Sequence, residues 1–256
     1  MTVADTLPMR HFIRIVEAIV PETMRQQTFY HGTPDDENGR SILENGIMPG
    51  NVGGESRGHL TPVVGRSYLT SSLRYGIIYC IGGDMLGAQN VEYLVNKTNR
   101  AGRASRYGWL FVINGDTLAD DVQPDEDSVG AAAMYANTIL NKPDRGQYYS
   151  NEPLYQGLMN ADPQRLRWFL HNAKSSMTPR QWEGTLDGFI SAQASGGKRF
   201  LRRMNDADKL FLIRCGAHVA YQGAIVPDQA WRFDKMMTPQ LEKDGGNFWQ
   251  LAERVR

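Results

Sequence analysis

The 256-residue sequence predicts an α+β domain, because short aromatic and β-branched runs are scattered along it with helical patterns set between them. The strand-like runs are Thr28–His31, Arg66–Thr70, Tyr107–Ile113 and two late ones, Lys209–Arg214 and His218–Gln222. No internal repeat or low-complexity stretch argues for another architecture. The length fits a single domain over 1–256, large enough to bury a core without staples.

In order, Phe12, Ile15, Val16, Ile19 and Val20 recur at helical spacing in an N-terminal segment, 1–27, and Pro21 ends or interrupts that helix. Thr28–His31 is the first strand, running into Gly32-Thr33. A polar loop from Pro34 leads to a short helix over Arg40–Asn45, stopped by Gly46. Gly50–Gly58 reads as a glycine-rich loop, either a plain connection or a closing lid. After the strand Arg66–Thr70, Ser71 and Ser72 are both suited to cap a helix through Leu73 and Ile81, ended by Gly82-Gly83.

Residues Glu92–Val95 suggest a further helical turn, and Asn96–Arg106 a polar, basic loop. Tyr107–Ile113 is the most strand-like run and stops at Asn114-Gly115. The acids around Asp125-Glu126-Asp127 admit two readings. They can bind a metal or activate a nucleophile, although they lack the full oxygen-ligand pattern of a calcium loop. The favoured reading is a helix N-terminus leading into Val129–Leu140, with the acids stabilised by the helix dipole. Lys142–Asp162 reads as a connection, Pro163–Ala173 and Pro179–Gln193 as helices, and Ala194–Gly197 as a break. Together, residues from about 141 to 205 form a helical insertion. The tail from Trp231 reads as amphipathic and polar.

Composition narrows the function classes. The 28 Lys and Arg balance 28 Asp and Glu, which disfavours a wholesale electrostatic grip on nucleic acid and tilts the partner toward protein. Lys198-Arg199 and Arg202-Arg203 make a local basic patch, read first as a solvated helix face. Cys80 and Cys215 stand far apart in apolar runs and read as buried thiols, with a disulfide between them left open. No secretory leader or membrane-length apolar run is visible. The expected location is the cytosol, or export as an effector without a cleavable signal, with no membrane partner.

The stretch Phe29-Tyr30-His31-Gly32-Thr33 carries the most chemistry. Its imidazole can bond a ribose hydroxyl, and Gly32 lets a flat amide approach the backbone. Tyr68 can stack on an aromatic ring. Together with Ile42–Pro49, Gly65–Ser71 and Tyr79, eleven residues after Tyr68, the set resembles the ADP-ribosyltransferase superfamily. The likeness is to the diphtheria-toxin and poly(ADP-ribose)-polymerase branch, with its His, Tyr and Glu motifs. It is close over Phe29–Tyr79 and fainter at His218–Asp228.

That resemblance implies a split, mixed β-sheet core with inserted helices. It also implies NAD as co-substrate, no metal, and transfer of ADP-ribose to a macromolecular acceptor. His31 and Thr33 would hold a ribose, Gly32 the carboxamide, and Tyr68 and Tyr79 the two faces of nicotinamide. Thr70 and Ser71 would brace the site. The third motif departs from the family: His218 stands where the glutamate is expected, with Gln222 the nearest alternative in another register. A neutral imidazole can act as a base near neutral pH but cannot supply negative charge. An acid from elsewhere, such as Glu126 or Asp127, is one remedy. Loss of the glutamate implies single-unit transfer, in the manner of a bacterial toxin or effector. A nucleic-acid acceptor, NAD hydrolysis, 2′-phosphate transfer through Arg40, Arg57 or Arg66, and an inactive NAD-binding module are the alternatives.

Overall fold

The computed structural model describes residues 27–50, 65–82, 105–118, 122–150, 152–183, 185–242 and 245–256. The expected N-terminal helix, the Gly50–Gly58 loop beyond Gly50, Glu92–Val95, most of Asn96–Arg106 and Arg57 lie outside them.

The strands are β1 (Thr28–Thr33), β2 (Arg66–Leu69), β3 (Tyr107–Asn114), β4 (Gln123–Pro124), β5 (Val219–Gln222), β6 (Gln229–Asp234) and β7 (Glu253–Arg254). The α-helices are α1 (Asp36–Asn45), α2 (Leu73–Ile81), α3 (Glu126–Asn141), α4 (Pro153–Met159) and α5 (Pro163–Lys174). They continue with α6 (Leu186–Ser191), α7 (Gly197–Leu201), α8 (Asp206–Arg214) and α9 (Phe248–Leu251). The class is α+β.

The strands form two sheets, one ordered β1-β3-β6-β7 and the other β2-β5-β4. Every pairing among the described strands is antiparallel, so the mixed sheet expected from the resemblance is corrected to two antiparallel ones. The sheets meet at one isolated bridge, where Tyr30 and Thr70 exchange backbone bonds of 2.7 and 2.9 Å.

β3 explains the larger sheet. Trp109, Phe111 and Ile113 point to one face, with Phe29, Ile42 and Ile225. Leu110 points to the other, with Ile77 and Phe248. Both faces are covered, so the strand reads as an almost unbroken apolar run. Behind the smaller sheet lies a helical block built around α3, whose residues from Val129 to Ala136 are buried, a run of small side chains through Ala133 followed by Met134 and Tyr135. Against this spine pack α4, α5 and α7 through Leu158, Leu166, Phe169 and Phe200.

Several expectations need correction. Lys209–Arg214 is helical rather than a strand: Asn205 caps α8 by accepting from the Asp208 amide at 2.8 Å, and Asp206 and Asp208 occupy the first turn. Its apolar run Leu-Phe-Leu-Ile is too short for periodicity to decide. The 142–162 connection contains a 3₁₀ stretch (Pro143–Tyr149) and α4. Pro179–Gln193 is not one helix; a 3₁₀ turn (Pro179–Trp182) precedes α6. Ala194–Gly197 does not break the chain, since a π-helical turn over Ala192–Gly196 carries it into α7. The tail from Trp231 holds most of β6. Cys80 and Cys215 are both buried and free.

Candidate functional site

A cavity of about 280 Å³ opens between the two sheets and the helical block. β1 contributes His31 and Gly32 to its wall. The β1–β3 pairing is continuous from Thr28 to Thr33, and among the described residues the Thr70 bridge occupies the other edge of β1 only at Tyr30. Backbone groups alternate sides along a strand, so Gly32 turns its N–H and C=O to that same edge, just beyond the bridge. Glycine is demanded here by packing: a Cβ would lie 2.2 Å from the Gly76 carbonyl oxygen and 2.6 Å from the Cys80 nitrogen, both in α2.

His31 is fixed by its Nδ1, 3.0 Å from the Tyr68 carbonyl oxygen. A carbonyl only accepts, so Nδ1 carries the proton and Nε2 is left as an acceptor in the neutral ring. Burial pushes the imidazole below its usual pKa, and the bond to Tyr68 partly offsets this. His31 is thus a neutral ring with an acceptor nitrogen, suited to a hydroxyl.

From β2 comes Tyr68, and Thr70 follows it, its Oγ1 accepting from the Ser72 amide at 3.0 Å. α2 begins at Ser72, whose hydroxyl accepts from the Tyr75 amide, and ends at Gly82 in the left-handed region (φ 88°). That start places Tyr75 and Tyr79 one turn apart on the cavity side. Both rings meet the edge of His218, with centroids 4.9 and 6.1 Å away.

His218 directly precedes β5 and is locked to the start of α3. Its N–H donates to Ser128 Oγ at 3.0 Å, and its carbonyl accepts from the Asp125 amide at 2.8 Å. Asp125 caps α3 with one carboxylate oxygen, accepting from the Ser128 amide at 2.5 Å, while the other lies 3.8 Å from His218 Nδ1. Burial lowers the His218 pKa, and the Asp125 charge opposes that shift.

The first turn of α3 thus brings Asp125, Glu126 and Asp127 to the cavity opposite His31. Glu126 accepts from Arg66 Nη1 at 2.6 Å, so Arg66 is engaged by a carboxylate, and Arg40 pairs with Asp36 at the surface. Asp127 is pushed up to about 7 by burial, then by the Asp125 and Glu126 charges, against the pull of Lys198. Glu152, beside the start of α4, is also pushed up to about 7, by burial, against Arg74. The Tyr75 hydroxyl donates to Glu152. Among the described residues these acids are not grouped as a metal-ligand set.

Of the residues singled out from sequence, the cavity gathers His31, Gly32, Tyr68, Thr70, Tyr79 and His218, together with Glu126 and Asp127. Thr33, Ser71 and Gln222 are not in its wall. Thr33 is buried and accepts from the Asn38 side chain at 3.1 Å, which ties the strand end to α1. Gln222 is exposed at the end of β5, opposite Arg66. Sequence reasoning missed Glu152 and Tyr75 as site residues, and it placed Asp125 only within the acidic cluster read first as a helix N-terminus. The spacing of Tyr75 and Tyr79 was a usable signal, whereas nothing local marks Glu152. No family model, curated protein or solved structure matches the chain. Among the described residues no helix is long and apolar enough to cross a membrane.

Proposed function

We propose that the protein is a mono-ADP-ribosyltransferase that uses NAD as co-substrate and modifies a macromolecule. The supporting observation is convergence: residues chosen for their chemistry from β1, β2, α2 and the start of β5 share one cavity with the acids of α3. In this reading the two sheets are the halves of the split core of that superfamily.

The residues fit the co-substrate in kind. The backbone edge of Gly32, unpaired among the described residues, offers one donor and one acceptor, which match the complementary pair of a carboxamide. Tyr68 and Tyr79 supply aromatic faces for a flat ring. His31, held neutral, accepts from a ribose hydroxyl. The volume suits the nicotinamide-ribose half, leaving the remainder of the dinucleotide toward the mouth.

The reaction breaks the bond between the anomeric carbon and the nicotinamide nitrogen, with the electron pair leaving on nicotinamide. A nucleophile on the acceptor then bonds to that carbon and gives up a proton. Positive charge builds on the ribose, so fixed negative groups lower the barrier. His218 cannot supply that charge; Asp125, Glu126 and Asp127 bring carboxylates to the same wall. Asp125 lies beside His218, and either that imidazole in its neutral form or the Asp127 carboxyl, pushed up to about 7, can take the acceptor's proton.

The test is incubation with adenylate-labelled NAD and a cell lysate, reading nicotinamide release and label transfer. His31→Ala is expected to lower release by about 10²-fold, the scale of misplacing a reacting group, with the melting temperature read alongside to separate folding loss. Wild-type protein that releases no nicotinamide with any acceptor overturns the reading.

A further inference from the structure

Overall charge balance conceals an uneven distribution. Residues 141–205 carry ten Lys and Arg against five Asp and Glu, and the rest of the chain carries the matching acidic excess. Such asymmetry within one chain points to a polyanionic partner for the basic part. Much of this excess is outward-facing.

The basic groups form a band that starts at the cavity. Lys198 lines its wall. Arg202 and Arg203 follow one turn later and are exposed. Arg203 crosses to α5, its Nη1 donating to the Ser175 carbonyl at 2.9 Å, and the two helices are packed through Phe169 and Phe200, 5.2 Å between rings. Along α5 the outward residues are Gln164, Arg167, Trp168, His171 and Lys174, at helical three- and four-residue spacing, with no acid among them. Trp168 is 55% exposed and follows the exposed Arg167 on the same helix.

We propose that this band docks a single-stranded nucleic acid and leads it to the cavity as the ADP-ribose acceptor. Cations that track a backbone, with an aromatic face for a base, are the two components of sequence-tolerant single-strand binding. A protein partner would instead be held by an apolar centre inside a polar rim. The outward face of α5 offers Trp168 as its one large apolar side chain. The docking half of the proposal stands on the band alone, and the acceptor half rests on the transferase reading.

The experiment uses the full chain with fluorescent mixed-sequence DNA and RNA oligonucleotides, both single-stranded. Anisotropy measures binding over a salt series, and label transfer from NAD is followed in parallel. Binding is expected to weaken as salt rises. Arg167→Glu/Lys174→Glu/Arg202→Glu is expected to weaken binding about tenfold or more and flatten the salt slope, whereas Trp168→Ala weakens it with the slope unchanged. Acceptor-free nicotinamide release stays at the wild-type level in both. The two arms show whether DNA or RNA carries the label. Oligonucleotides that do not bind, that bind all variants equally, or that bind without labelling while a lysate protein is labelled, overturn the proposal. If wild type releases no nicotinamide at all, the transferase reading and the acceptor role fall together, and anisotropy alone decides the docking surface.

Discussion

Glu152 reaches the cavity from a stretch rich in proline, glycine and tyrosine, and there it is partly buried with Tyr75 donating to it. Burial raises its pKa from 4.5 to about 7. The folded state therefore holds this proton at pH values where the unfolded chain has lost it. Between those two pKa values the native state binds more protons, so this group's contribution to stability falls as pH rises from about 4.5 to 7. A shift of this size corresponds to roughly 1–3 kcal/mol once residual solvent is allowed for. Glu152→Gln keeps an acceptor for Tyr75 and removes the titration. The variant should match wild type at pH 4 and exceed it by that amount at pH 8, read from urea midpoints. His31 and His218, with lowered pKa values, push in the opposite sense by favouring the neutral folded ring as pH rises, but they cancel in the comparison between variant and wild type. An equal stability difference at both pH values would count against the buried carboxyl.

Among the elements, α7 shows how packing ties the helical block to the site. Gly197 approaches α3 so closely that a Cβ would lie 1.6 Å from the Glu126 carbonyl oxygen and 3.0 Å from the Gly130 nitrogen. Both are backbone atoms and cannot rotate away. Gly197→Ala should therefore cost at least about 1–3 kcal/mol and move the first turn of α3. Calorimetry should show a lower melting temperature, and nicotinamide release should fall with it because Asp127 and Lys198 flank that contact. An unchanged melting temperature rejects this account of the contact. The same glycine explains a failure of sequence reading. Ala194–Gly197 has the composition of a breaker, yet the chain stays helical because only glycine fits against α3, a constraint from 67 residues away. α8 failed for a nearer reason: Leu210 to Ile213 fit strand or helix, and the Asn205 cap was the decisive local sign. β1, β3 and α2 were legible, since their apolar runs and the Ser72 and Gly82 caps are complete within a few residues. Of the site, the His31, Tyr68 and Tyr79 wall lay in one continuous third of the sequence. The Asp125–His218 contact spans 93 positions, and no local pattern encodes it.

For the whole molecule, the position of the cavity matters more than any one lining residue. β1, β2 and α2 provide one side of it; α3, α4 and α7 provide the other. The sheets touch through the Tyr30–Thr70 bridge, and the second sheet reaches the helical block through the bonds of His218 to Ser128 and Asp125. A ligand seated there contacts both sides and binds only when both are in place, so its binding energy adds to their mutual stability. At a concentration about 100-fold above its dissociation constant, a slowly hydrolysed NAD analogue should raise stability by about 2.7 kcal/mol. Hydrogen exchange should then slow in two regions remote in sequence, the β1–α2 segment and the first turn of α3 with α4. Slowing of both would place the ligand between the sheets and the block. Slowing of one alone would move the site out of the cavity and with it the roles assigned to the opposite wall.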